Sequence, residues 1–119
     1  MDLELRNKVV LITGGARGIG AAIARAVSRE AGIAVVVDRD VEPGEKLAAE
    51  LRGEGSRCSF VLADLTSSDA CAAAVDRAVQ EHGRLDALVN NAGANDRVGL
   101  EQGSPGAYLT SLQRNLLHY

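Results

Sequence analysis

Apolar residues in this chain fall into two kinds of pattern. Val9-Val10-Leu11-Ile12, Ile33 to Val37, Cys58 to Leu62 and Leu85 to Val89 are short blocks that are mostly apolar throughout. Strands covered on both faces need not alternate, so these blocks predict four buried strands of a parallel sheet. Between them the apolar positions recur at helical spacing. Ile19, Ile23, Ala26 and Val27 fall on one face of a first helix, and Gly32 suits its end. Pro43 is placed to open a second helix that runs to Leu51, with Gly53 and Gly55 closing it. An alanine-rich stretch from Ser68 to Glu81 predicts the third, ended by His82-Gly83.

Strand and helix in strict alternation is the pattern of right-handed crossover units. The expectation is one α/β domain over residues 1–119, a doubly wound parallel sheet ordered 3-2-1-4. The final segment reads differently. Ser104-Pro105 is a serine N-cap with proline at the first helical position, and Leu109, Leu112, Leu116 and Leu117 follow at helical spacing. The chain stops at Leu116-Leu117-His118-Tyr119 with no glycine, terminal lysine or loop, which predicts a domain cut short at its C-terminus. The fourth strand, suited to the inside of a larger sheet, would then be an edge.

Composition narrows the picture. At 119 residues and 46% apolar the chain suits one ordinary globular domain, and with 3% aromatics its core must be aliphatic. A net charge of −3 does not favour nucleic acid or a membrane surface. No apolar run reaches the roughly 18 residues of a span, and the acidic start Met1-Asp2-Leu3-Glu4-Leu5 is no secretory signal. Cys58 and Cys71 lack metal-ligand spacing and read as lone thiols of a cytoplasmic protein, so no metal site is expected.

Candidate chemistry sits just after the strands. Thr13-Gly14-Gly15-Ala16-Arg17-Gly18-Ile19-Gly20 joins the first strand to the first helix. Glycines let a backbone turn tightly against a pyrophosphate, and the helix N-terminus presents free N–H groups to it. A glycine cluster alone also marks a plain turn; its place between strand and helix favours the phosphate. Asp38 ends the second strand 24 residues beyond Gly14, close to the roughly 20 expected of an acid that holds an adenosine ribose. Such a carboxylate accepts from the ribose hydroxyls and repels a 2′-phosphate, which favours NAD. Arg17 and Arg39 pull toward NADP. Read blandly, Asp38 is a solvated strand-end acid. Asp64, ending the third strand, is placed to accept from an adenine amino group or to cap the next helix. Asn90-Asn91-Ala92-Gly93 follows the fourth strand, where amides can bond neighbouring backbone and small residues admit a ligand; alone it is a turn.

In this order and spacing, TGGARGIG, Asp38, Asp64, NNAG and a later asparagine resemble the short-chain dehydrogenases over the whole chain. The resemblance implies an NAD(P)-dependent oxidoreductase with a Rossmann-type sheet, a hydroxyl- or carbonyl-bearing small-molecule substrate and a homotetrameric full-length parent. Its cofactor-binding positions fall on Gly14, Arg17, Gly18, Ile19, Gly20, Asp38, Asp64, Leu65, Asn90, Asn91 and Gly93, for NAD with NADP as the alternative. Asn115, 25 residues beyond Asn90, matches the family asparagine that holds a water in a proton relay. Asn95-Asp96-Arg97-Val98-Gly99-Leu100, with Ser111-Leu112 and Asn115 to Tyr119, resembles the bacterial L-fucose dehydrogenase branch.

The family's chemistry also needs a serine and a Tyr-x-x-x-Lys, whose lysine lowers the pKa of the tyrosine acid/base. Here the only lysines are Lys8 and Lys46; Tyr108 is followed four residues on by Leu112, and nothing follows Tyr119. The chain alone is therefore expected to be inactive. A non-catalytic dinucleotide-binding module, or a remnant that pairs with an intact relative, stands as the alternative.

Overall fold

The computed structural model describes residues 2–99 and 101–116. The four apolar blocks form strands β1 (Val9–Thr13), β2 (Ile33–Asp38), β3 (Cys58–Leu62) and β4 (Ala87–Val89). The helices are α1 (Gly18–Arg29), α2 (Val41–Gly53), α3 (Ser68–His82) and α4 (Pro105–Asn115). The strands form one sheet in the order β3-β2-β1-β4, and every pairing is parallel. Leu11, at the sheet centre, lies opposite Val35 on one side and Leu88 on the other.

Side chains alternate across the sheet and fill two separate cores. Val10, Ile12, Ala34, Val36, Cys58 and Phe60 face α1 and α2. Val9, Leu11, Ile33, Val35, Val37 and Val61 face α3, which contributes only Ala74 and Ala78 as buried residues. Because both faces are covered, β1 and most of β2 are buried at every position, which is why they read as continuous apolar blocks. Burial pushes the Cys58 thiol up to about 11, beyond easy ionisation. Cys58 and Cys71 are both free.

Several boundaries differ from the sequence expectations. β4 begins at Ala87, not Leu85: the Asp86 carboxylate, rather than another ladder residue, accepts from Val9 N at 2.8 Å. α2 begins at Val41, two residues before Pro43. Proline is tolerated there because the first-turn N–H groups have no helical partner. On α1, Ala26 is exposed and Ile19 is 74% exposed; the buried stripe is Ala21, Ala24 and Val27. α1 ends through Ala31, which takes the left-handed conformation at φ 59°. Gly32 serves packing instead, since a Cβ there would lie 2.7 Å from Val27 Cγ1. α3 does end on a left-handed glycine, Gly83. α4 has no buried residue, and it stops at Asn115 although the apolar spacing continues. Leu100, Leu117, His118 and Tyr119 lie outside the described residues. No helix among the described residues is long and apolar enough to cross a membrane.

Candidate functional site

Parallel strands end together, so the segments that follow β1, β2, β3 and β4 meet at one edge of the sheet. They enclose a cleft of about 400 Å³. The glycine loop contributes Gly14, Arg17, Gly18 and Ile19; the turn after β2 contributes Asp38, Arg39 and Asp40. Ala63, Asp64, Leu65 and Thr66 follow β3, Asn91 to Ala94 follow β4, and Arg114 reaches in from α4.

Gly14 has φ +61°, and a Cβ there would come within 2.8 Å of Ala92 Cα. Gly18 has φ +55° and only open space where a Cβ would be. The first turn of α1 is uncapped: Arg17 is its N-cap residue, makes no side-chain capping bond, and no acidic residue follows in that turn. In contrast, Ser67 and Ser104 cap α3 and α4 through bonds to Ala70 N and Ala107 N. The N-terminus of α1 therefore carries its partial positive charge into the cleft with no side-chain cap and no acidic residue in its own first turn; the Asp38 carboxylate accepts from Ala16 N just ahead of the helix.

A clasp built on Thr13 joins this loop to the turn after β4. The Thr13 hydroxyl accepts from Asn91 N and Ala92 N, each at 3.0 Å, and donates to Val89 O at 3.3 Å. Asn91 Nδ2 returns bonds to the carbonyls of Thr13 and Gly14, both at 3.1 Å. Gly20 is buried behind the loop, where a Cβ would overlap Gly14 O and lie 2.7 Å from Asn91 Nδ2.

The carboxylates differ in what they already hold. Asp38 accepts from Ala16 N and Asp40 N, both at 3.1 Å, so it ties the glycine loop to the end of β2. Asp64 does not cap α3. It accepts from the Thr66 hydroxyl at 2.7 Å and Thr66 N at 3.0 Å, which holds its carboxyl below the usual range with help from Arg39 and Arg114 nearby.

Asn115 stands apart from the cleft lining. Its Oδ1 accepts from Ala94 N at 2.7 Å, and its Nδ2 donates to Ala94 O at 2.9 Å and Ser111 O at 3.0 Å. It thereby straps the 92–94 turn to α4. Beside it Asp96 accepts from Arg114 at 3.0 Å, and its carboxyl is held down by the Ser111 hydroxyl and by Arg114. Asp96 is thus committed to α4 rather than offered outward like its neighbours Asn95 and Arg97. Asn90 is exposed and lies outside the lining of the cleft.

With this arrangement in hand, similarity to known proteins is decisive. The profile of the short chain dehydrogenase family matches residues 8–119. The chain belongs to the short-chain dehydrogenase family. It is 47% identical over 90 residues to oxidoreductase UcpA of Escherichia coli, covering 76% of this chain and 34% of that protein. It is 40% identical over 119 residues to the Rhizobium meliloti protein named probable galactose dehydrogenase GalD, covering 97% of this chain and 45% of that one. The crystal structure of a short chain dehydrogenase from Mycobacterium smegmatis superposes with a TM-score of 0.90 at 32% identity, over 96% of this chain and 48% of that one. The chain thus spans about a third to a half of the length of the proteins it matches.

As a short-chain dehydrogenase the chain comes from a family of NAD(P)-linked oxidoreductases. Asp40, Thr66 and Arg114 join the site without a motif that marks them, and Thr13, which opens the glycine motif, gains a clasp role that the motif does not show. Thr66 stands two residues beyond Asp64. Arg114 lies next to Asn115, and Asp40 carries the ordinary signature of a helix N-cap.

Proposed function

We propose that this chain is the dinucleotide-binding portion of an NAD-preferring short-chain dehydrogenase that oxidises a hydroxyl, or reduces the matching carbonyl, of a sugar such as L-fucose. The carrying observation is the uncapped N-terminus of α1 facing a glycine-lined cleft that Asp38, tied to the glycine loop, also lines. The residues fit the group. Gly18 leaves open space for a pyrophosphate that a Cβ would occupy, Gly14 lets the loop pack against Ala92, and the free N–H groups of α1 bind the phosphates. Asp38 orients the adenosine ribose, and Asp64 with Leu65 borders the adenine. Asn91 and Gly93 keep the opposite wall thin. The bound dinucleotide supplies the hydride acceptor or donor. Asn115 positions the 92–94 turn. Because both of its side-chain N–H groups are engaged, a relay water would bond its main chain.

For the sugar reading, support comes from the relative named as a galactose dehydrogenase and from Asn95 and Arg97, which remain exposed on the loop after β4. We place the working protein in the cytoplasm as a homotetramer that also carries the serine and Tyr-x-x-x-Lys. These 119 residues bind the dinucleotide without turning substrate over, because no tyrosine among them is followed four residues on by lysine.

Fluorescence titration of the chain with NADH and NADPH tests the cofactor reading. Asp38→Asn, which keeps one of the two oxygens that hold Ala16 N and Asp40 N, should lower the preference for NADH by about one to two orders of magnitude, the value of a charge-assisted bond. Failure of the wild-type chain to bind either dinucleotide, or tighter binding of NADPH than of NADH, would refute it. For the substrate, a panel of aldoses and sterols should be offered to a protein joining these residues to the missing serine and Tyr-x-x-x-Lys. Turnover of sterols and not aldoses would overturn the sugar reading.

A further inference from the structure

Asp40 stands at the N-cap of α2, the position where aspartate most often bonds the helix's first N–H groups. Here it makes no such bond. Only its backbone carbonyl serves the helix, accepting from Gly44 N at 3.3 Å. Its own N–H is fixed by Asp38 Oδ1 at 3.1 Å, so the carboxylate projects from an anchored backbone. That carboxylate turns across the cleft to Arg17, reaching within 3.7 Å of its guanidinium. Both residues line the same cleft as Asp38.

Three arginines line this cleft, and each has a carboxylate nearby. Arg114 pairs with Asp96 at 3.0 Å, Arg39 lies close enough to Asp64 to lower its pKa, and Arg17 faces Asp40. Of these, Arg17 stands on the glycine loop itself, at the N-cap of α1. A guanidinium in that place is a natural partner for a phosphate monoester. Left alone, it would work against the discrimination that Asp38 provides.

We propose that Asp40 is a specificity-determining residue that occupies Arg17 and so withholds it from a 2′-phosphate, making preference for NAD a property of two carboxylates. The inference rests on the reading of Asp38 as the ribose acid. An incoming 2′-phosphate has to compete with Asp40 for Arg17; a 2′-hydroxyl does not. The pair is largely solvent-exposed, at 70% and 46% for the two side chains, so the effect is a moderate one.

The test is a set of NADH and NADPH titrations of the 119-residue chain, its Asp40→Asn and Asp40→Ser variants, and the same changes in an Arg17→Gln background. Asparagine and serine both retain N-cap competence, and NADH binding reports an intact fold. Removing the carboxylate should raise the NADPH-to-NADH affinity ratio about three- to fivefold, up to the factor that about 1 kcal/mol represents. With Arg17→Gln the rise should fall below about twofold, because Asp40 acts through Arg17. An unchanged ratio, or an equal rise in both backgrounds, overturns the proposal while leaving the dinucleotide reading intact. No binding of either cofactor by the wild-type chain overturns both.

Discussion

Replacing Thr13 with valine keeps the shape of the side chain and deletes only its hydroxyl. Thr13 is 5% exposed, so little solvent reaches the site directly. The change leaves Asn91 N and Ala92 N without their acceptor and Val89 O without a donor. An orphaned buried donor costs about 1–3 kcal/mol. These groups are only partly buried, so the lower half of that range applies to each, and the two N–H groups together cost about 2–4 kcal/mol. Thr13→Ser is the control: it retains the hydroxyl and loses one methyl, worth about 1 kcal/mol. Valine should therefore be less stable than serine by about 1–3 kcal/mol, although its strand propensity is better. Urea unfolding followed by far-UV circular dichroism measures the gap as a shift in midpoint at constant slope. NADH affinity should fall in step, at least tenfold for valine and far less for serine, because the freed turn carries Asn91 away from Gly14. If valine and serine share a midpoint and an affinity, the hydroxyl is not the clasp that joins β1 to the turn after β4.

Two further outcomes follow from the geometry. Gly20→Ala would drive a methyl into Gly14 O and to within 2.8 Å of Gly15 Cα, so it should cost about 1–3 kcal/mol and abolish NADH binding, while Gly53→Ala, which meets open space, should do neither; wild-type NADH affinity in Gly20→Ala would contradict the packing. Asp86 is held near 2 rather than 3.8 by bonds from Arg84 and from Val9 N, so the fold favours its ionised form; its contribution is complete above about pH 5 and is lost as the pH falls toward 2, and Asp86→Asn should flatten the fall in urea midpoint across that window.

What could be read from the sequence divides along physical lines. Burial on both faces turns strands such as Ile33 to Val37 into unbroken apolar runs, so strand positions and their order were legible, as were the glycines and acids that follow them. Helix faces were less so. Ile19 fits the apolar period of α1, yet it faces the cleft, because spacing shows which residues share a face and not which residue lies beyond the sheet edge. Gly32 looked like a helix terminator, but Ala31 bears the left-handed turn and Gly32 gives room to Val27. Asp40 and Arg114 gain their roles from partners 23 and 18 residues away in sequence, Arg17 and Asp96, and no local period encodes such pairings.

The strand order also sets the length of chain that each pairing must close. β1 meets β2 across one short crossover, with Val9 opposite Ile33. Its other neighbour, β4, arrives only after two more helices and a strand, and the bonds from Asn91 to Thr13 and Gly14 close loops of 78 and 77 residues. Closing a longer loop costs more entropy, so the β1–β2–β3 pairings can form before β4 docks. The glycine loop and Asp38 belong to that early unit, whereas the wall formed by Asn91 and Ala92 comes with the last strand. A ligand that touches both halves favours the docked state by mass action, so occupancy of the cleft and docking of the last strand are thermodynamically coupled.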